Sequence, residues 1–595
     1  MGGNRICFYQ IEKGHGEFIN LTLIILLIGL IDYLCGLNKF INMKKIFLLF
    51  TIILLTFKGY SQMGQWTWMN GDSTVYGSPV YGTLGVFAPD NTPGALRESG
   101  QWTDKQGNFW LFGGEFGGFW NDLWKFDPLI NQWAWMNNSV QYNVDTNGNY
   151  GIQNVASPNN RPGGRGYGIM TWVDTSGNLW LFGGNAWDAY GNLGIMNDLW
   201  KYDISTNEWT WVKGSDSVFQ IGVYGTMGVE NPLNTPGARY YNNATWVDSS
   251  NNLWLFGGIG YGNNNITHAY LSDLWKYNIA DNAWTWMKGP QIVDQHGIYG
   301  TLNTPDSGNI PSGRFTYAAR KADNGDFWLF GGLDSFGYKN DLWSYNISTN
   351  DWTWRGGTNL VNDSIGSFTS LCNSNYNNLP VARFCNSWAI NCDNFVIYGG
   401  GLGLQSGPRE LNDLWNYNLN TCEWTWINGS LTPNQPSYHG TLMVSNPLNT
   451  PGGRDGFMTW VDNNGYLWLF GGGGNGSRND LWRFVPDTTC PQLCNQTSGC
   501  NQTTGIKEIQ NNNPEITLYP NPTSSTITLK GDLRFTIPIE SVDLRITDVL
   551  GQQVYTQTIT NPNQTTINVS QLSNGVYFYQ LTNGTETYRG KFVKQ

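Results

Sequence analysis

A chain of 595 residues with 13% charged side chains, 74 glycines and 30 tryptophans has the composition of many short strands and turns. With 44 acidic against 33 basic residues the formal charge is -11, which removes any general electrostatic attraction to nucleic acid or anionic lipid.

Two apolar runs open the chain. The second, 46–57, follows Met43, Lys44 and Lys45 and precedes Gly59-Tyr60-Ser61, the charged, apolar and small-residue parts of a signal peptide over 43–61. On that reading translation starts at Met43 and residues 1–42 are not part of the product. The rival reading makes the first run, 19–31, a membrane anchor, but it is short for a span and Asp32 follows at once, so no stable transmembrane anchor is expected.

From 62 to 485 one unit is written six times. An arginine follows small residues at Arg97, Arg165, Arg239, Arg314, Arg383 and Arg454. An apolar run ending in two glycines comes next, at 109–114, 179–184, 253–258, 327–332, 395–400 and 467–472. Asp-Leu-Trp then begins at Asp122, Asp198, Asp273, Asp341, Asp413 and Asp480, with Trp-x-Trp behind it in five cases. The first glycines of the pairs are 70, 74, 74, 68 and 72 residues apart. Each unit predicts four short strands separated by Gly, Asn and Asp turns. The apolar runs do not alternate with polar residues, so both faces of each sheet must be covered, as in sheets stacked radially around an axis. The sixth unit lacks its own Trp-x-Trp, and Trp66-Thr67-Trp68 ahead of the first arginine predicts the strand that completes it and closes the ring.

Those motifs resemble the kelch repeat, including the galactose-oxidase-like propellers, over about residues 63–485. The resemblance implies an all-β, six-bladed kelch-type β-propeller but little about activity. A galactose oxidase would need two histidines, two tyrosines and a cysteine-linked tyrosine around copper. No matching set stands here, and His268, His296 and His439 lie on separate loops, so no metal and no cofactor are expected. The Asp and Asn clusters at 173–178 and 461–465 read as hairpin turns rather than calcium loops.

Seven cysteines follow the signal peptide. Cys372, Cys385, Cys392 and Cys422 lie in one stretch and Cys490, Cys494 and Cys500 in another, which in an exported chain predicts local disulfides. A zinc site at the second trio is the alternative, without a histidine nearby.

Residues 486–513 read as a polar linker, and 514–595 as a small β-sandwich of immunoglobulin-like type. Tyr519-Pro520-Asn521-Pro522, Asp548-Val549-Leu550-Gly551-Gln552 and Asn574-Gly575-Val576-Tyr577 resemble the type A sorting domain of the Bacteroidetes type IX secretion system. That resemblance implies export to the outer-membrane surface or beyond, with the secretion machinery as a partner.

One arginine per unit predicts a ring near the mouth of the central channel, gathering an anionic ligand or, preferably, tying the blades together through carboxylates and carbonyls. Ligand contacts are expected where the units differ, in the loops between second and third strands: Trp120, Trp187, Tyr190, Tyr261, Tyr270, Phe336 and Tyr338, with packing of those loops as the plainer role. The expectation is a secreted or cell-surface, non-enzymatic module for a glycan or protein. A polysaccharide-active hydrolase or oxidase, or a structural adhesive protein, are the alternatives.

Overall fold

The second strand of each repeat decides the architecture. Phe109–Phe112, Leu179–Phe182 and Leu467–Phe470 bury all four residues, and the matching stretches of the other three repeats do the same. A strand buried on both faces needs a neighbour on each side.

The computed structural model describes residues 64–595 apart from 137–145, 242–243, 265–267, 317, 360–365, 391–393, 403–408, 475, 487–489, 491–516, 520–522, 531–541, 549–551, 561–564 and 583–586. The expected signal peptide, the segment 1–42 and most of the polar linker lie outside the described residues. So do Cys392, Cys494 and Cys500. Among the described residues there is no helix, and hence none long and apolar enough to cross a membrane. Two compact units, 1–501 and 502–595, make up the chain.

In the first unit each repeat forms an antiparallel sheet in chain order. The first comprises Gly100–Thr103, Phe109–Phe112, Leu123–Asp127 and Gln132–Trp135. Five further sheets of the same design follow. Their innermost strands touch in a closed cycle: Gly100–Thr103, Met170–Val173, Thr245–Val247, Ala319–Lys321, Phe384–Ile390, Met458–Val461 and back to the first. Small polar side chains join the cycle. Thr171 Oγ1 donates to Gln101 O at 2.9 Å, Thr245 Oγ1 to Thr171 O at 3.0 Å and Thr459 Oγ1 to Ser387 O at 3.1 Å. Inner-strand tryptophans staple each sheet to the next, as where Trp102 Nε1 donates to Trp180 O and Trp172 Nε1 to Trp254 O, both at 2.9 Å. This closed array of radial sheets is a β-propeller.

The ring closes with the strand the sequence singles out. Gln65–Asn70 pairs antiparallel with Leu481–Val485, Trp66 opposite Phe484 and Trp68 opposite Trp482. Trp66 is buried against Tyr398 and Phe484. Insertions link consecutive sheets, and the described part of each docks on the outer strand of the sheet it precedes through contacts such as the bridges of Ala88 with Trp133 and Ser157 with Trp209. In the sixth, Asn449 Nδ2 donates to Trp66 O at 3.1 Å, so the N-terminal strand takes the place of a native fourth strand.

One disulfide joins the two cysteine clusters instead of staying within either, and Cys422 is disulfide-bonded as well. Cys372 pairs with Cys490 across 118 residues, joining the two clusters, and Cys385 is a buried free thiol pushed up to about 12 by burial. Cys490 packs in the core behind the last strand, which brings it to the fifth insertion; sequence spacing does not reveal that proximity.

In the second unit Thr517–Tyr519, Thr526–Lys530 and Thr566–Asn568 form one sheet, and Gln553–Ile559, Val542–Thr547, Gly575–Thr582 and Thr587–Lys594 another. Ile527 and Ile567 from the first meet Leu544, Ile546, Tyr579, Leu581 and Phe592 from the second in one core.

Truncating Trp66 to Ala removes the fully buried tryptophan of the closing strand. It should cost about 3–5 kcal/mol in denaturant unfolding, with no loss of fold in the second unit. An unchanged midpoint would mean that the ring does not depend on this strand.

Candidate functional site

The repeated arginines form knots inside the sheets. Arg239 Nη1 and Nη2 donate to Asp273 Oδ1 and Oδ2 at 2.8 and 2.9 Å, and Nη1 and Nε also reach Gly257 O and Gly237 O, each at 3.0 Å. Asp273 Oδ2 further accepts from Tyr224 Oη and Trp275 Nε1, both at 2.7 Å. Arg165 with Asp198, Arg314 with Asp341, Arg383 with Asp413 and Arg454 with Asp480 repeat the bidentate pair, and all five guanidinium groups are buried. Each pair lies within one repeat. The backbone of the same arginine spans sheets, for Gly114 N donates to Arg165 O and Gly184 N to Arg239 O. In the sixth repeat His439 takes the tyrosine's place, 3.1 Å from Asp480 Oδ2.

The first repeat departs from this plan. In the other five the arginine stands three residues after a proline, as in Pro236-Gly237-Ala238-Arg239, whereas the first reads Pro93-Gly94-Ala95-Leu96-Arg97. Leu96 occupies the arginine's place: it is buried, and Gly472 N donates to its carbonyl as Gly114 N does to that of Arg165. Asp122 therefore has no guanidinium partner. It keeps the Tyr81 hydroxyl at 2.6 Å, and its buried Oδ1 has no hydrogen-bond donor among the described residues. Burial pushes its carboxyl up to about 6 against the lowering effect of that hydroxyl.

Displaced by one residue, Arg97 emerges at the ring's centre, where Nε pairs with Glu115 and the side chain is 37% exposed. The residues just after the arginine position in every repeat meet there. Glu98 N donates to Gly456 O at 2.7 Å and Tyr241 N to Tyr167 O at 2.6 Å, tying first to sixth and third to second repeats. Glu98, Tyr167 and Tyr241 all hold positive φ, 55°, 58° and 53°, at the position where the sixth repeat has Gly456 at 57°. Only the glycine adopts that conformation without strain.

The side chains make a continuous aromatic arc. Phe119 meets Tyr167 at 5.3 Å between ring centroids, Tyr167 meets Tyr241 at 5.2 Å, Tyr241 meets Phe315 at 5.4 Å and Phe315 meets Phe384 at 5.4 Å. Tyr270 stacks on Phe315 and Tyr338 on Phe384. The charged groups Arg97, Glu98, Glu115, Asp455 and Glu410 complete the circuit. Burial, reinforced by Glu115, raises the Tyr167 phenol; burial, reinforced by Glu98, raises that of Tyr241; burial, reinforced by Asp455, raises that of Tyr338. Burial likewise raises Asp455 against the charge of Arg97, and raises Glu410 with Asp455 adding to it.

Of the seven loop aromatics marked by sequence, Tyr270 and Tyr338 thus join the central arc and the others do not. Trp120 packs into the first core with Nε1 donating to Phe116 O at 3.0 Å. Tyr190 is exposed, its hydroxyl 2.9 Å from Asp216; Tyr261 lies against Phe219 and His268; Phe336 stacks on His296 at 3.8 Å; Trp187 is half-buried in a short side strand. Tyr167, Tyr241, Phe315, Phe384 and Asp455 carry no local motif in the sequence. Their signal was variability at a fixed register beside a repeated arginine. Among the described residues no group of three or more His, Cys, Asp or Glu side chains is arranged to hold a metal. At 173–178, Asp174 Oδ1 accepts from the backbone of Ser176, Gly177 and Asn178, which closes the hairpin turn.

A family model for the KLHDC2/KLHL20/DRC7 Kelch-repeats domain matches residues 301–499, and one for the secretion system C-terminal sorting domain matches 517–595. Kelch domain-containing protein 10 of Homo sapiens is 25% identical over 259 residues, 42% of this chain and 45% of that protein. Host cell factor homolog hcf-1 of Caenorhabditis elegans is 23% identical over 296 residues, 46% of this chain and 29% of its own length. Multiple epidermal growth factor-like domains protein 8 of Rattus norvegicus is 30% identical over 102 residues, 17% of this chain and 3% of its own. The chain thus spans less than half the length of these curated relatives.

The Asp122 site makes a pH-dependent prediction. A carboxyl raised on folding from 3.8 to about 6 gives stability that is fully present below about 4 and lost as pH rises through about 6, worth about 3 kcal/mol. Asp122→Asn should therefore stabilise the protein at pH 8 and by about half as much at pH 5. Asp273→Asn, which strands buried Arg239, should cost about 3–5 kcal/mol at pH 8. Urea unfolding of both variants at the two pH values checks this.

Proposed function

We propose that this secreted kelch-repeat protein, delivered by its type IX sorting domain, is a non-enzymatic binding module whose ligand, a glycan or a protein, seats at the centre of the ring. The aromatic arc through Tyr167, Tyr241, Phe315 and Phe384 carries the reading. A soluble domain has no folding reason to gather half-buried phenols and carboxylates at one register of its repeats. Apolar faces beside a few convergent polar groups are what ligand sites present. The three non-glycine residues held at positive φ fit the same reading, because such strain persists where surrounding structure serves a site. Domain boundaries at 61, 485 and 513, and an immunoglobulin-like character for the last domain, belong to this proposal as well.

Arrays of immobilised glycans and of peptides test it. Binding should fall about tenfold or more in Tyr241→Ala at unchanged melting temperature, and persist in Tyr190→Ala. Loss confined to Tyr190→Ala or Trp187→Ala would move the site to the rim, and release of reducing sugar from a polysaccharide would make the protein an enzyme.

A further inference from the structure

The diversion of Arg97 marks what kind of ligand the centre reads. Five repeats commit their arginine to a buried aspartate; the first places Leu96 there, leaves Asp122 buried without a guanidinium and sends Arg97 to the mouth. Neither change helps folding. A buried carboxylate that has a hydroxyl but no guanidinium is costly, and a part-exposed Arg97–Glu115 pair returns little.

The surroundings of Arg97 narrow the chemistry. Nε is occupied by Glu115 and the side chain also hydrogen-bonds Tyr167, and among the described residues no hydrogen bond runs from its Nη1 or Nη2 to a backbone carbonyl, unlike the buried five. Tyr167 and Asp455 act on it electrostatically from the second and sixth repeats. A phosphate or carboxylate ligand would meet Glu98, Glu115, Asp455 and Glu410. An ammonium would meet the guanidinium of Arg97 in the middle of the site. Hydroxyl groups suit both signs, since each donates to a carboxylate and accepts from a guanidinium, and the arc offers flat faces to apolar C–H surfaces.

We propose that the channel mouth binds an uncharged carbohydrate chain, with Arg97, Glu115 and Asp455 reading its hydroxyls and Tyr167, Tyr241 and Phe315 stacking on its ring faces. This rests on the binding reading above and commits it to one ligand class. Arg97 is then a specificity-determining residue.

Affinity electrophoresis and calorimetry of the full chain against mannan, xylan, β-glucan, polygalacturonate and chitosan test the assignment. At least one of the three neutral polymers should bind, with affinity unchanged between low and high salt. Arg97→Met should weaken it about tenfold or more at unchanged melting temperature, while Glu115→Gln, which keeps a hydrogen-bonding amide, should weaken it less. Tightest binding to polygalacturonate or chitosan, abolished by salt, would overturn the inference. So would retention by none of the five polymers; a peptide whose binding still depended on Tyr241 would in that case leave the central binding site standing and remove only its carbohydrate ligand.

Discussion

A four-residue strand such as Leu179–Phe182, apolar on both faces and buried on both, cannot sit at the surface of a sheet with one wet side. Burying it requires a sheet in front and another behind, and the same demand recurs in every repeat. Only a cyclic arrangement satisfies all the repeats without leaving an apolar end face. The closed cycle of inner strands, the tryptophan staples between sheets and the borrowed strand Gln65–Asn70 all follow from that constraint.

The arginine knots do a different job from the apolar strands. A buried ion pair contributes little net stability beside an apolar replacement of the same shape, but removing one partner is expensive. Fixed donors and acceptors therefore specify register more than they add stability. In the third repeat Asp273 gathers Arg239, Tyr224 and Trp275, which come from the sheet entry, the insertion and the third strand. One carboxylate thus sets how insertion and sheet meet. The insertion then lies flat on the outer strand instead of projecting as a free loop.

Much of this was legible because repetition multiplies a weak signal. The Trp-x-Trp missing from the sixth repeat and present at the N-terminus gave the closure directly, since a four-stranded sheet leaves one edge unpaired otherwise. The hydrogen-bonding turns at Asp174 followed from local side-chain chemistry. What the sequence hid was spatial: Cys372 and Cys490 lie 118 residues apart and meet because the sixth sheet stacks on the fifth and carries the residue after its last strand to the fifth insertion. The central arc was hidden for a related reason. Tyr167, Tyr241 and Phe315 are one per repeat, with no local motif, and converge only around an axis. Arg97 alone stands at the mouth, where the repeat predicts all six arginines, because the chain aligns by Pro93 and puts Leu96 in register with the five buried arginines.

That one-residue shift ties fold to function in a single comparison. If the knots existed only to hold the ring, the first repeat would be the weakest and the substitution of Leu96 for arginine a defect. Yet the leucine is well packed in the core with Trp124 and Trp135, so the local structure has accommodated the change. The residual cost sits on Asp122 alone, whose carboxyl is raised to about 6 by burial. A fold tolerates such a cost where something else is gained. In this ring the guanidinium so released stands beside Glu98, Glu115 and Asp455 at the end of the aromatic arc, which is the gain the proposed binding role requires.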